Sequence, residues 1–595
     1  MASSGKMRGK EAERVRVQLC VIGGGLSGIC AAIAAARRGV SVALVHDRPV
    51  LGGNASSEVK MWIRGASMTF PLMREGGILE EIAMRNTKFN PDMSYGIWDG
   101  VLYGMVVAEP NIRLFLNTSC MGAIQCGDRI ESIEAWQLTT YRRYNIEADF
   151  FADCSGDCIL SEFTDAECVA GRESKKQFGE AFAPDVADAY TMGASCILQA
   201  RETSAAVPYT PLPFARKFAE KDFAHRLKLN DRTAFAKDNF WWIELGGQRD
   251  VLTDAQEINA ELYAAVYGVW DFIKNSGKYD SVNWELDWVG ALAGKRESRR
   301  YVGDYVLTQT DVQAGRIFGD EVAYGGWPLD DHDPLGMEAE GAPNRSVPLD
   351  EPYSIPYRSL YSKNIRNLYF AGRNISVTHI ALSSSRVMAT CALVGQAAGT
   401  ACALALQKNT DARGVGNYMA ELQQMLRDDD CYLLGTPRKL SEAMANSENN
   451  LPPEMFCRLL AGEERKTDQG ESRIVLRKGQ AAHFVFRQPV YCHKVRIVFD
   501  NDIAREFCND FDLRMYPNKL HISASDLRAE ISPRLVKDFE VSVLRQGVWV
   551  LLERERDNYL RLYTADVGEK IEGVRFVGLE TYGADEISFM SLDVL

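Results

Sequence analysis

The chain has little histidine, seven residues among 595. Imidazole chemistry is therefore confined to a few places that can be inspected one by one. It also lacks a basic run. With 68 Lys and Arg against 81 Asp and Glu, the formal net charge is −13. No stretch collects the cations that a phosphate backbone requires, which argues against nucleic-acid partners. Met1 to Arg16 is polar and mixed in charge, without the apolar core of a secretory signal, so a cytoplasmic setting is expected. In that setting the fourteen cysteines read as reduced thiols. None falls in C-x-x-C-x-x-C, so neither an iron–sulfur cluster nor another metal site is expected. Cys154-x-x-x-Cys158 reads first as two small apolar residues, with a redox pair as the alternative. Val387 to Gln407 carries no charge and is long enough to cross a membrane. Its Ala, Cys, Gly, Thr and Gln content, directly after Arg386, makes it a buried helix instead, and no membrane span is expected.

What is present is glycine in a telling place. Val17 to Ile22 reads as an apolar strand running into Gly23-Gly24-Gly25-Leu26-Ser27-Gly28. A small-residue helix, Ile29 to Arg38, and a second strand, Val40 to Val45, follow. In such a β-α-β unit Gly23 permits the tight turn, Gly25 lets backbone approach a pyrophosphate, and Gly28 lets helix and strand pack closely. The helix N-terminus, with Leu26 and Ser27, adds free N–H groups for the phosphates. The acceptor for the adenosine ribose is usually a Glu or Asp ending the second strand. Here that end reads His46-Asp47, so Asp47, with Arg48 beside it, is expected to take over the contact.

Three further segments say which dinucleotide. They are Leu51-Gly52-Gly53-Asn54-Ala55-Ser56-Ser57-Glu58, the strand Ala148–Asp153 ending in Cys154-Ser155-Gly156-Asp157, and the strand Asn367–Phe370 ending in Ala371-Gly372-Arg373-Asn374, with Ser376 just beyond. With these the chain resembles the FAD-dependent oxidoreductases related to fumarate reductase and glycine oxidase. It is most similar to a bacterial subgroup carrying LGGNASSE, WWIELGG, KRESRRYVGDY, YGGWPLDDH and IPYRSL…AGRNISVTHIALSSSRVMAT, and the likeness spans about residues 15 to 410. The resemblance implies one non-covalent FAD, held by the glycine loop, Gly53 to Ser56, Ser155 to Asp157 and Gly372 to Ser376. The fold class it implies is α/β, with a discontinuous Rossmann-like FAD domain over 15–58, 111–170 and 345–408. Ile112 to Asp149 alternates apolar and polar residues and reads as a small antiparallel meander. An α+β substrate cap is expected over 59–110 and 171–344. A helical segment and linker (409–450) lead to a jelly-roll-like β-sandwich, 456–595, signalled by short strands such as His483–Phe486 and Lys494–Phe499.

Few residues could carry chemistry. His379, between a cofactor strand and the small-residue helix, is expected to face the isoalloxazine and act as general base, with His332 as the fallback. Asp330 and Asp331, beside His332, read as a polar wall for substrate hydroxyls. Arg296 and Arg299 would stabilise an anionic reduced flavin or hold a substrate carboxylate; an internal salt-bridge network with Glu297 and Asp304 is the alternative. Trp241, Trp242 and Glu244 offer aromatic faces plus an acceptor that suit a sugar, and Glu58 is placed with them. The expected reaction is oxidation of a secondary alcohol of a carbohydrate or polyol by hydride transfer to flavin N5. The rivals are reduction of an activated C=C bond in a carboxylate, and a flavoprotein whose sandwich chiefly binds glycans. No second glycine fingerprint follows a strand, so the electron acceptor for this small-molecule oxidoreductase stays unassigned, and a homo-oligomer stays open.

Overall fold

The computed structural model describes residues 12–468, 470, 472–503, 516–517 and 528–595. Most of the polar Met1–Arg16 stretch, and 504–515 and 518–527 within the expected sandwich, lie outside the described residues.

The central sheet is built on strands buried on both faces. In β1 (Glu13–Ile22) the last four residues are all buried, as is the whole of β2 (Val42–Val45), which is the apolar signature of a parallel sheet covered on both sides. Between them runs α1 (Leu26–Arg37). Two helices, α2 (Gly77–Phe89) and α3 (Tyr95–Val107), precede β3 (Ile112–Phe115), which pairs parallel to β2. A hairpin of β4 (Thr118–Cys126) and β5 (Arg129–Gln137) leads into β6 (Arg142–Asp153), which pairs parallel with β1 from Tyr144 to its end. The strand Leu368–Phe370 closes the far side against the end of β6. The sheet order is thus β3-β2-β1-β6, with β5 and β4 continuing antiparallel from the first half of β6. The expected meander is therefore only partly one, because Ile112–Phe115 joins the parallel layer. In open sheets of this kind the carboxyl ends of the strands gather the ligand site.

The helix Met388–Lys408 is, among the described residues, the one long and apolar enough to span a membrane, and 94% of its most apolar window is buried. It lies against α1. A Cβ at Gly395 would stand 2.0 Å from the carbonyl oxygen of Ser27, and one at Gly399 would stand 2.1 Å from that of Ala31. The Gly-x-x-x-Gly spacing serves backbone-to-backbone contact between two core helices.

Within the expected cap, residues between Ala194 and Met337 form a core of their own. One face of the helix Ala255–Asn275, with Ile258, Leu262, Val266, Val269 and Ile273, packs on Phe223, Phe235, Phe240 and Trp242. The C-terminal part is an antiparallel sheet in the order Ile474–Arg477, Glu586–Val594, Ala481–Phe499, Leu562–Thr581, Val536–Arg545, Val548–Glu555. Its two longest strands bend at register shifts, and the sheet closes over Phe499, Phe539, Phe576 and Phe589. Adjacent rings there lie 4.9 to 5.9 Å apart.

In the expected helical segment and linker (409–450) the main helix stops at Asp428, and a single turn, Glu442–Ala445, follows the break. Asp430 takes a left-handed φ of 62°, and Gly435 and Pro437 follow within a few residues. The irregular stretch becomes the seam to the C-terminal sheet. Arg561 is buried and grips the Asp430 carboxylate at 2.7 Å, Arg496 donates to the carbonyls of Asp428 at 2.6 Å and Arg427 at 2.9 Å, and Arg465 donates to the carbonyl of Arg74 at 2.9 Å. Breaking a buried ion pair from one side leaves an uncompensated charge, which typically costs about 3–5 kcal/mol. Arg561→Ala is therefore expected to lose that much stability in denaturant unfolding of the full chain. A loss below about 1 kcal/mol would show that Asp430 does not depend on this partner.

Candidate active site

The strand ends enclose a cavity of about 900 Å³, large enough for an extended ligand. One end is the glycine loop. Gly23 turns with φ 107°, and a Cβ there would sit 2.3 Å from the carbonyl oxygen of Cys154. Gly25 differs: no heavy atom lies within 4 Å of where its Cβ would stand, so its open side is cavity. It is the N-cap of α1, and no side chain caps that end. Gly23, Gly25, Leu26 and Ser27 line the wall, whereas Gly28 sits behind it, pressed on the carbonyl of Gly23.

The end of β2 departs from the usual pattern. His46 lines the cavity with its ring almost wholly buried; its Nδ1 accepts the N–H of Gly24 at 3.0 Å and its Nε2 meets the carbonyl of Val50 at 3.0 Å. Burial pushes this imidazole down to about 4. Asp47 and Arg48 are on the same wall, with the Asp47 side chain 64% exposed. Gly53 and Asn54 also line it, while Ala55 and Ser56 are turned inward, Ala55 receiving the indole N–H of Trp98 at 2.9 Å. Glu58 is off the wall, one carboxylate oxygen buried without a partner.

From the other strand ends come Ser155, Gly156, Asp157, Gly372 and Arg373. Asp157 is bonded by Lys295, by Arg373 at 2.7 Å and by Ser298 at 2.7 Å. Burial opposes its charge, yet Arg373 and Lys295 hold the carboxyl well below the usual range. Asn374 and Ser376 lie a layer deeper; Asn374 donates to the Asp153 carbonyl at 3.2 Å.

The opposite end is polar and aromatic. Trp241, Arg296, Asp330, His332, Asn344 and Arg386 line it. His332 Nδ1 meets the fully buried Glu244 at 2.6 Å and its Nε2 meets Asp330 at 3.2 Å, while the Trp241 ring stands edge-on at 5.0 Å. Asp330 also accepts from Asn344 at 2.5 Å and from Arg386 at 3.2 Å. Burial opposes its ionisation, but His332 and Arg386 keep it anionic far below the usual range. Arg296 spends one nitrogen on Ser195 at 2.7 Å and another on the Trp241 carbonyl at 2.9 Å, and faces Glu244 at 3.3 Å.

Besides Glu58 and Glu244, four residues expected to carry chemistry or meet substrate are not on this wall. His379 is 2% exposed and sandwiched between Glu297, 2.8 Å from Nδ1, and Asp331, 3.0 Å from Nε2. Burial works against its charge, but the two carboxylates carry it up to about 10. It is therefore an imidazolium with both N–H groups spent, not a base facing the cavity. Asp331 is turned away with it, because neighbours on the strand Leu329–His332 point to opposite sides. Arg299 forms a peripheral pair with Glu162. Trp242 belongs to the cap core, its indole N–H on the Asp238 carboxylate at 3.2 Å. Wall residues not expected from the sequence include Arg386, Asn344 and Lys295. Arg386 ends the same short helix that His379 begins, so one helix grips Asp331 with its first residue and Asp330 with the residue after its last.

The His379 ion pairs fix a sign for pH. A group whose folded pKa is raised stabilises fully below its unfolded value, near 6.5, and that stability is lost as pH rises through the folded value. The melting temperature is thus expected to fall between pH 7 and about 10. His379→Asn should melt lower at pH 7 and show a shallower decline over this window. An unchanged slope would mean that His379 is not the titrating group.

Residues 18–426 match the family model described as FAD dependent oxidoreductase. No curated protein matches the chain. Similar solved structures include a geranylgeranyl bacteriochlorophyll reductase-like protein of Thermoplasma acidophilum, 11% identical, covering 70% of this chain and 84% of that one with a TM-score of 0.31. Mycobacterium smegmatis Sdh1 is 15% identical, covering 72% and 78%, with a TM-score of 0.26. The family 32 carbohydrate-binding module of Streptococcus pneumoniae EndoD is 12% identical, covering 26% of this chain and 99% of that one, with a TM-score of 0.19. The cavity also suits a diphosphate cofactor: seven Lys or Arg against four Asp line it within a chain of net charge −13, and the buried Nε of Arg373 has no partner. With more than two thirds of its length inside that match, and an open glycine loop over a cation-rich cavity, the chain belongs to the FAD dependent oxidoreductases.

Proposed function

We propose that the cavity holds FAD against the glycine loop and that the enzyme oxidises a secondary alcohol of a carbohydrate or polyol at the His332 end. The N–H groups of the loop and of the start of α1 would take the pyrophosphate. Asp47 and Arg48 would meet the adenosine side, and Asn54, Ser155 and the Lys295–Asp157–Arg373 bridge the middle. Bound FAD supplies the two-electron acceptor chemistry that no side chain can.

The observation that carries the reading is His332 on the cavity wall with the buried Glu244 behind it. Losing hydride equivalents from a carbinol carbon requires the hydroxyl proton to go to a base. Glu244 fixes the ring through Nδ1, while Nε2 meets Asp330 as His379 meets Asp331, so His332 serves as base only in the form where a substrate hydroxyl has taken the place of Asp330 and Nε2 carries no proton. Asp330, kept anionic, accepts a second hydroxyl, and Asn344 and Arg386 donate beside it. Trp241 supplies an apolar edge for sugar C–H groups. His379 and Arg386 hold the strand that carries Asp330 and His332 from its two sides, which makes them positioning residues.

Reduction of an unsaturated carboxylate is less well supported. It needs an uncommitted cation, yet Arg296 faces Glu244, Arg386 faces Asp330, and Arg299 is off the wall. Arg296 and Arg386 are each matched by a carboxylate, which favours an uncharged substrate.

Gly25→Val is expected to fold and be colourless, since its Cβ has room but would occupy the phosphate side. Retained flavin absorbance would remove FAD from this loop. Anaerobic mixing with sugars and polyols should bleach the flavin, and a positioned base contributes typically ~10²–10⁴-fold, so His332→Gln should slow bleaching by that factor with FAD still bound. A loss under about threefold, or reoxidation of reduced enzyme by unsaturated carboxylates without bleaching by any alcohol, would overturn the reading.

A further inference from the structure

The most informative departure from the common dinucleotide pattern is His46. The end of the second strand is the place where a carboxylate ordinarily meets the ribose. Here neither ring nitrogen of His46 is available for that task. Nδ1 accepts the Gly24 N–H at 3.0 Å, so it carries no proton, and Nε2 therefore donates to the Val50 carbonyl at 3.0 Å. The ring is packed on the loop: a Cβ on Gly24 would fall 2.7 Å from its Cγ. Its own backbone is tied down by bonds to Phe115 and Thr118, both 2.8 Å. Gly24 is then held from both sides, because its carbonyl accepts the N–H of Gly52 at 2.8 Å. Burial favours the neutral ring, which is the form that can accept at Nδ1.

We infer that His46 is a positioning residue for the cofactor: a neutral imidazole that pins Gly24, and through it the phosphate-facing loop, in place of binding the ribose. The ribose hydroxyls then fall to Asp47, whose side chain is on the cavity wall and open to solvent. This rests on the glycine loop holding the pyrophosphate.

The inference predicts the reverse of what the common pattern suggests. His46→Glu restores the usual acidic residue, yet a carboxylate offers no donor to Val50 and brings a charge into a buried site beneath the loop. His46→Asn keeps an acceptor near the Nδ1 position and remains neutral. His46→Gln places its amide nearer the Nε2 position, toward Val50, and so does not reproduce the bond to Gly24. FAD per chain in the purified holoenzyme, and the rate of FAD release on dilution followed by flavin fluorescence, report the outcome without reference to turnover. The Glu and Gln variants should release FAD roughly 10-fold or more faster than wild type, in line with one lost buried hydrogen bond. The Asn variant should stay within about threefold, a difference smaller than that bond is worth.

If His46→Glu holds FAD as firmly as wild type or better, His46 is a substitute ribose ligand and the inference fails. If Asn is as weak as Gln, ring packing and not the Nδ1 bond does the holding, and the inference also fails. Should the Glu variant not fold, the contrast between Asn and Gln decides alone. The underlying assignment is tested separately: flavin retained by Gly25→Val would sink the loop as a phosphate site, whereas colourless Gly25→Val with an unimpaired His46→Glu would sink only the role given to His46.

Discussion

The approach of α1 to the helix Met388–Lys408 is the contact on which the site depends. Residues separated by more than 350 positions meet so closely that a single methyl at Gly395 or Gly399 would overlap carbonyl oxygens of Ser27 and Ala31. The contact fixes where α1 begins, and therefore where its unpaired N–H groups point. It also fixes the short helix just before Met388, which carries His379 and ends at Arg386. The two ends of the cavity are thus tied to one pair of packed helices, with the parallel strands delivering the loops between them.

Charge is organised around the cavity in a particular way. Adjacent carboxylates, Asp330 and Asp331, would repel each other if both faced one space. The pleat sends them apart, and each finds its own cation, Arg386 for one and His379 for the other. Glu297 completes the deeper group by bonding His379 and Arg300, and Glu173 closes it. Burying so many charges is costly unless every one is matched. The matching makes the strand Leu329–His332 a rigid platform, so that His332 and Asp330 stand at fixed spacing from Glu244 and Asn344.

Local signals were legible and non-local ones were not. The strand, turn and helix around Gly23 to Gly28 follow from spacing alone, and the loops after β6 and after Leu368–Phe370 follow from apolar runs ending in glycine and polar residues. The antiparallel sheet beyond residue 470 was foreshadowed by apolar alternation, although His483–Phe486 and Lys494–Phe499, expected as separate short strands, belong to the one strand Ala481–Phe499. The orientation of His379 was not, since it depends on Glu297 and Asp331, which are distant in sequence and brought together only by the cap. Trp242 failed for a similar reason: of two neighbouring tryptophans, one faces the cavity and the other the cap core, and their order cannot be read from the dipeptide. In the sequence Arg386 stands only as the residue before an uncharged run, whereas its guanidinium, donating to the carbonyl and the carboxylate of Asp330, makes it part of the wall. The break after Asp428 was readable in principle from Gly435 and Pro437.

The buried arginines at the seam say something about reach. A sheet domain on a loose tether samples a wide volume, and the ligand it captures arrives at the cavity by diffusion over that volume. Arg561, Arg496 and Arg465 remove that freedom, because each ends on a carboxylate or carbonyl outside the sheet domain. The outer surface of the C-terminal sheet therefore keeps one bearing and one distance with respect to the cavity mouth. Anything bound there is presented at a set angle, and a surface too far from the mouth to hand over its ligand stays too far.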